Sequence, residues 1–160
     1  MKARTIAWAL VALLGAAPSH AQDEKSFPAP IQEDLARAGK ECADADDGKV
    51  GVRPGFVRKL DLTGDGRPDY IVNFAELTCS TFESVFCGTG GCERIIYVTT
   101  RGGELRQVFS GMVRSYKISK APGAKTITFH LHGGFCGEGG YYDCVKKRRI
   151  TETPFEYKDR

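Results

Sequence analysis

Glu93-Arg94-Ile95-Ile96-Tyr97-Val98-Thr99-Thr100-Arg101-Gly102-Gly103-Glu104-Leu105-Arg106-Gln107-Val108-Phe109 decides the fold. From Ile95 to Thr100 every residue is β-branched or aromatic, which suits a pleated, packed strand. Arg101-Gly102-Gly103-Glu104 then reads as a hairpin turn, and Leu105 to Phe109 returns as the partner strand. Working outward, residues 56–60 and 69–74 read as strands on the N-terminal side. On the other side, Val113, Tyr116 and Ile118 interleave with Arg114, Ser115 and Lys117, with one slip in the alternation. Ala121-Pro122-Gly123-Ala124 turns the chain into Thr126-Ile127-Thr128-Phe129-His130-Leu131-His132. Residues 144–151 and 155–158 read as two last strands around a turn at Pro154.

Before the strands, residues 31–42 read as a short helix, with Ile31, Leu35, Ala38 and Cys42 on one face. The predicted fold is therefore mainly β. It is an antiparallel meander, sandwich-like or a half-open barrel, with one short N-terminal helix packed on it and disulfides as staples. A repeat architecture is excluded, because no motif recurs at a fixed period.

The first residues carry a different signal. Lys2 and Arg4 precede an apolar run over 6–17, and Ser19-His20-Ala21 places small residues where a signal peptidase reads. Residues 1–21 are expected to be a secretory signal peptide, 22–30 a flexible leader and 31–160 a single β-rich domain. The apolar run is too short for a membrane span, so none is expected after cleavage. Cleavage removes Lys2 and Arg4 and no acid, which lowers the formal charge of +3 by two, to +1. That near-neutral balance excludes a general nucleic-acid binder.

Export places six cysteines in an oxidising compartment, where an even count reads as a disulfide framework. Local closure favours Cys87 with Cys92 and Cys136 with Cys144, each across a Gly-rich loop. Cys42 and Cys79 are then left to tie the N-terminal segment to the sheet. Sequence alone does not choose among the possible pairings. A rival reading makes Cys87, Cys92, Cys136 and Cys144 zinc ligands, at spacings longer than the usual ligand pairs.

Asp61-Leu62-Thr63-Gly64-Asp65-Gly66-Arg67-Pro68-Asp69 runs directly into Tyr70-Ile71-Val72-Asn73-Phe74. Calcium prefers several hard oxygen ligands in a flexible cage. Side-chain oxygens of Asp61, Thr63, Asp65 and Asp69 with the backbone carbonyl of Arg67 compose such a set, and Gly66 permits the sharp turn. The pattern resembles the calcium loops of the FG-GAP/VCBS type in integrin-like and secreted bacterial repeat proteins, where the loop also precedes a strand. The resemblance covers this loop alone and implies calcium as a structural ion. Thr63 departs from it, standing where Asn or Asp is usual. Val72 stands where an EF-hand carries its bidentate Glu, which excludes an EF-hand. The alternative is a hairpin loop with Asp-Gly turn chemistry, its carboxylates neutralised by Arg58, Lys59 and Arg67.

Two further stretches carry chemistry. Gly133-Gly134-Phe135-Cys136-Gly137-Glu138-Gly139-Gly140-Tyr141-Tyr142-Asp143-Cys144 offers Phe135, Glu138, Tyr141 and Tyr142 on an adaptable loop, and constrained loops with exposed aromatics are common recognition devices. Phe86-Cys87-Gly88-Thr89-Gly90-Gly91-Cys92 is similar in kind. His130 and His132 share one face of a strand, a spacing that suits zinc or copper if Glu138 or Asp143 folds back as a third ligand. Lys146-Lys147-Arg148-Arg149 divides between two faces of a strand. No G-x-S-x-G, H-E-x-x-H or P-loop occurs, so no catalytic residue is assigned.

Signal peptide, Asp-rich loop, C-G-x-G-G-C loop and Cys-bounded glycine loop together resemble small exported proteins of Gram-negative bacteria, a likeness that implies no activity. The expected function is a periplasmic or secreted, monomeric binding module stabilised by calcium. It would bind an envelope or extracellular protein or a glycan, and in its sharper form inhibit an envelope protein. The alternative is a hydrolase or a zinc- or copper-handling protein using His130, His132 and Glu138.

Overall fold

The computed structural model describes residues 26–82 and 85–158, so the expected signal peptide and residues 22–25 of the leader lie outside the described residues. Helix α1 spans Ala29–Asp44. It begins two residues before Ile31, because Pro28 and Pro30 sit at its entry, where a missing N–H leaves no bond unmade. The Pro28 carbonyl accepts the N–H groups of Ile31 and Gln32 at 2.9 and 3.1 Å. Phe27, expected in the flexible leader, is buried, with its ring 5.8 Å from that of Phe56. The buried face of α1 holds Ile31, Ala38 and Cys42 as expected, and Asp34 as well.

Among the described residues ten strands follow: β1 Val50–Val52, β2 Val57–Leu60, β3 Asp69–Asn73, β4 Leu77–Cys79, β5 Cys87–Gly88, β6 Gly91–Thr99, β7 Leu105–Val113, β8 Ser115–Ile118, β9 Thr126–His132 and β10 Asp143–Arg149. They form three antiparallel sheets. β1 pairs with β4. β2, β3, β6 and β7 lie side by side, with β5 pairing the start of β6. β8, β9 and β10 make the third sheet, with β9 in the middle.

Strand β6, at the centre of its sheet, is buried on both faces from Arg94 to Thr99. Ile95 and Tyr97 join Val57, Val72 and the helix residues Ile31, Ala38 and Cys42 in one core cluster. Ile96 and Val98 join Ile71, Val113, Ile127, Phe129 and Leu131 in a second. This double burial explains the unbroken apolar run of β6, since only a strand with one wet face must alternate. β9 has one wet face and alternates strictly, with Ile127, Phe129 and Leu131 inward.

The slip in the 112–119 alternation is the corner between sheets. β7 ends at Val113, β8 begins at Ser115, and Arg114 between them donates its N–H to the His130 carbonyl at 2.9 Å. The strand expected over 155–158 does not form. Val108 is the extra residue at a bulge where the β6–β7 register shifts, and its carbonyl accepts the Phe155 N–H at 2.9 Å. Phe155 and Tyr157 are then held by their rings against Phe109 and Phe129, without a ladder.

The disulfides are Cys42–Cys79, Cys87–Cys92 and Cys136–Cys144, the pairs that local closure favours. The zinc–thiolate reading is thereby overturned, because no free thiol remains among the described residues to ligate a metal.

Candidate functional site

The Asp-rich loop connects β2 to β3 and closes on its own backbone. Asp61 Oδ1 accepts the N–H groups of Gly64 and Asp65 at 2.6 and 3.3 Å, and Oδ2 accepts that of Gly66 at 2.9 Å. Burial pushes the Asp61 carboxyl up, but the amides of Gly66, Gly64 and Asp65 together pull it below the ordinary carboxylate value. Asp65 pairs with Arg67 at 2.5 Å. Asp69 is fully buried and turned into the protein. Its Oδ2 accepts from Leu62 and Thr63 N–H at 2.7 and 2.9 Å, and its Oδ1 from Thr99 N–H at 2.8 Å. The expected ligands Asp61, Thr63, Asp65, Arg67 and Asp69 therefore lie on one loop without converging as a cage. Thr63 and Asp69 are bonded to each other, Asp69 faces inward, and Asp65 serves Arg67. Among the described residues no group of three or more His, Cys, Asp or Glu side chains is placed to hold a metal ion.

The two disulfide loops do come together, and Arg114 joins them. From the corner between β7 and β8 its Nε donates to the Thr89 carbonyl at 3.1 Å. Its Nη1 donates to the Tyr142 carbonyl at 2.8 Å, and its Nη2 to the Gly140 carbonyl. One planar guanidinium thus bridges the Cys87–Cys92 loop and the Cys136–Cys144 loop, a fork that lysine cannot reproduce. Glycines make the approach possible. A Cβ on Gly91 would lie 2.4 Å from Arg114 N, and one on Gly140 would lie 2.3 Å from His132 Nε2.

On this scaffold Tyr141 and Tyr142 project into solvent, 80% and 49% exposed, with ring centroids 4.1 Å apart. Phe135, expected beside them at the surface, instead packs partly buried against the second core cluster. Its loop turns inward there as a short 3-10 segment, Gly133–Cys136, before Gly137 takes a left-handed conformation. Glu138 is exposed and makes no hydrogen bond or ion pair with either histidine among the described residues.

Of the two acids expected to fold back on the histidines, Asp143 does so and Glu138 does not. His130 Nδ1 and Asp143 Oδ2 are 2.6 Å apart. His132 Nδ1 accepts the Gly134 N–H at 3.2 Å, which places that ring's proton on Nε2. The two histidines lie on the outer face of β9 but take separate partners. Neither a family model, nor a curated protein, nor a solved structure matches this chain.

Sequence reasoning missed Arg114, and it offered Asp143 to the histidines as a third metal ligand, not as the hydrogen-bond partner of His130. The signal for Arg114 was present as the slip in alternation at that position. None existed for its acceptors, which are backbone carbonyls far along the chain.

Proposed function

We propose that this chain is an exported binding module, working in the periplasm or outside the cell, that engages an envelope or extracellular partner through Tyr141 and Tyr142. The observation that carries this reading is the Arg114 fork. A surface loop is costly to hold in one shape, and preordering it before binding removes that cost from the association step. Here one side chain and two disulfides hold a pair of exposed aromatic rings, the residue type enriched at binding hot spots. Inhibition of an envelope hydrolase is one form that such binding takes.

The test is capture from an envelope fraction on the immobilised, oxidised protein, with Tyr141→Ala beside the wild type. A stoichiometric ligand that wild type holds and Tyr141→Ala releases supports the reading. A ligand held equally by both, or none at all, removes it.

Calcium at the 61–69 loop is a separate part of the proposal, and it rests on the sequence pattern. As folded, the loop does not offer five ligands, so the ion would have to work through the outer carboxylates Asp61 and Asp65. A melting temperature raised by millimolar calcium and lowered by Asp65→Ala supports it; a melt that calcium and chelator leave unchanged ends it.

Hydrolysis is a second reading, favoured by the His130–Asp143 hydrogen bond and by Ser115, which lies opposite His130 across β8 and β9. A general base held by a carboxylate beside a hydroxyl is the arrangement of nucleophilic catalysis. Turnover of activated esters that disappears in both His130→Ala and Ser115→Ala would establish it.

A further inference from the structure

The outer face of the β8–β9–β10 sheet is exposed to solvent, and the strand register fixes what it presents. Lys117 on β8 and Lys147 on β10 both stand opposite Thr128 on β9, so the three form one row across the sheet. The next row places Arg149 opposite Thr126, and the row on the other side places Ser115 and Val145 opposite His130. Lys117, Lys147 and Arg149 are exposed. No carboxylate pairs with any of them among the described residues. The one acid these strands turn outward, Asp143, is already bonded to His130.

The basic run at the end of the chain is thus sorted by the pleat. Lys146 is half-buried, Arg148 lies over the Phe155 ring at 5.0 Å, and Lys147 and Arg149 face outward. Lys117, from a strand distant in sequence, completes the patch. Strand spacing puts Lys117 and Lys147 roughly 10 Å apart across the sheet, and Lys147 and Arg149 about 7 Å apart along β10. Tyr142 directly precedes Asp143 at the far end of the same sheet, so the exposed ring pair stands where the cationic face ends.

We propose that this face binds an anionic glycan chain, with Lys117, Lys147 and Arg149 meeting its acidic groups and Tyr141 and Tyr142 stacking on a sugar ring. The proposal rests on the binding-module reading and names its partner class. Charge complementarity calls for a polyanion. Hydroxyls of Ser115, Thr126 and Thr128 stand among the cations, and each both donates and accepts, which matches sugar hydroxyls better than acyl chains. Tyrosine suits the same surface, with an apolar ring face and a polar tip.

The test is calorimetric titration of the exported, oxidised protein with polygalacturonate oligomers and with a phosphorylated mannan. Neutral dextran oligomers, phosphatidylglycerol vesicles and single-stranded DNA are run beside them. An acidic glycan is expected to bind and dextran is not. The combined Lys117→Gln and Lys147→Gln variant is expected to lose about tenfold or more in affinity and to show a shallower dependence on salt. Binding of neither acidic glycan, tighter binding of vesicles or DNA, or unchanged affinity in the double variant would overturn the proposal. Tyr141→Ala separates the two readings. If it releases the ligand captured from the envelope while neither acidic glycan binds, the module stands and the glycan inference falls. If an acidic glycan binds through the lysines and Tyr141→Ala leaves that binding intact, the cationic face stands and the aromatic site falls.

Discussion

The Asp69 carboxylate accepts the backbone N–H of Thr99 at 2.8 Å, and through its other oxygen it holds the N–H groups of Leu62 and Thr63. It thereby fixes the start of the loop to the end of β6 from a position that water does not reach. Burial raises the Asp69 carboxyl above its ordinary value despite these three amides. Asp69→Ala would strand three amide donors at once, so a loss of about 3 kcal/mol or more is expected in urea unfolding. Asp69→Asn keeps one accepting oxygen and should fall between wild type and Ala. A loss in Asp69→Ala no larger than in Asp65→Ala would mean that the buried carboxylate does not organise the loop.

Cys42–Cys79 spans 37 residues of sequence, against 5 for Cys87–Cys92 and 8 for Cys136–Cys144. Loop-closure entropy predicts that the first bridge stabilises by about 4 kcal/mol and each short one by about 2. Paired Cys→Ala variants should follow that order in denaturant midpoint, and peptide mapping of the oxidised protein should return the three pairs. The larger cost at Cys42 and Cys79 has a second source, because both are buried in the helix-side core. Equal midpoints for the long-bridge and short-bridge variants would contradict the ordering.

What could be read from the chain and what could not divides along physical lines. Ile95 to Thr100 is legible because a strand's preference for β-branched and aromatic residues is local. Ile31, Ala38 and Cys42 are legible because the helical repeat sorts one face from another. Asp34 sits on the same repeat but is polar, and its burial depends on the Tyr97 hydroxyl, which arrives from β6. The 155–158 segment looks like a strand by composition, but its aromatic residues are spent on packing against Phe109 and Phe129. Asp69 looks like an ion ligand because its spacing is a loop pattern. Its burial follows from where β6 ends, which no spacing within the loop encodes.

Arg114 supplies the sharpest test of the joined loops. Arg114→Lys keeps the charge but cannot reach the carbonyls of Thr89, Gly140 and Tyr142 together. Both Arg114→Lys and Arg114→Ala should speed amide exchange in residues 88–91 and 139–142, while exchange in β6 and β9 stays slow. Rescue by lysine would show that charge alone is needed. Uniform loss of protection would show that Arg114 supports the whole fold and not the loops in particular.

Stability should also depend on pH through Asp34. The Tyr97 hydroxyl donates to this carboxylate at 2.8 Å, and Arg37 lies 3.8 Å away. Burial pushes the Asp34 carboxyl above its ordinary 3.8, and Tyr97 and Arg37 offset that only in part. The folded state therefore keeps the proton to a higher pH than the unfolded chain does. The resulting stability is fully present below the unfolded value and is lost as pH rises through the folded one. In Asp34→Asn the group no longer titrates, while the amide oxygen still accepts the Tyr97 hydroxyl. Melting both proteins between roughly pH 4 and 7 should show the wild type gaining on Asp34→Asn as the solution is acidified. A gap that stays constant over that range would mean that burial does not raise this carboxyl, and that Asp34 acts on the helix only as a hydrogen-bond acceptor.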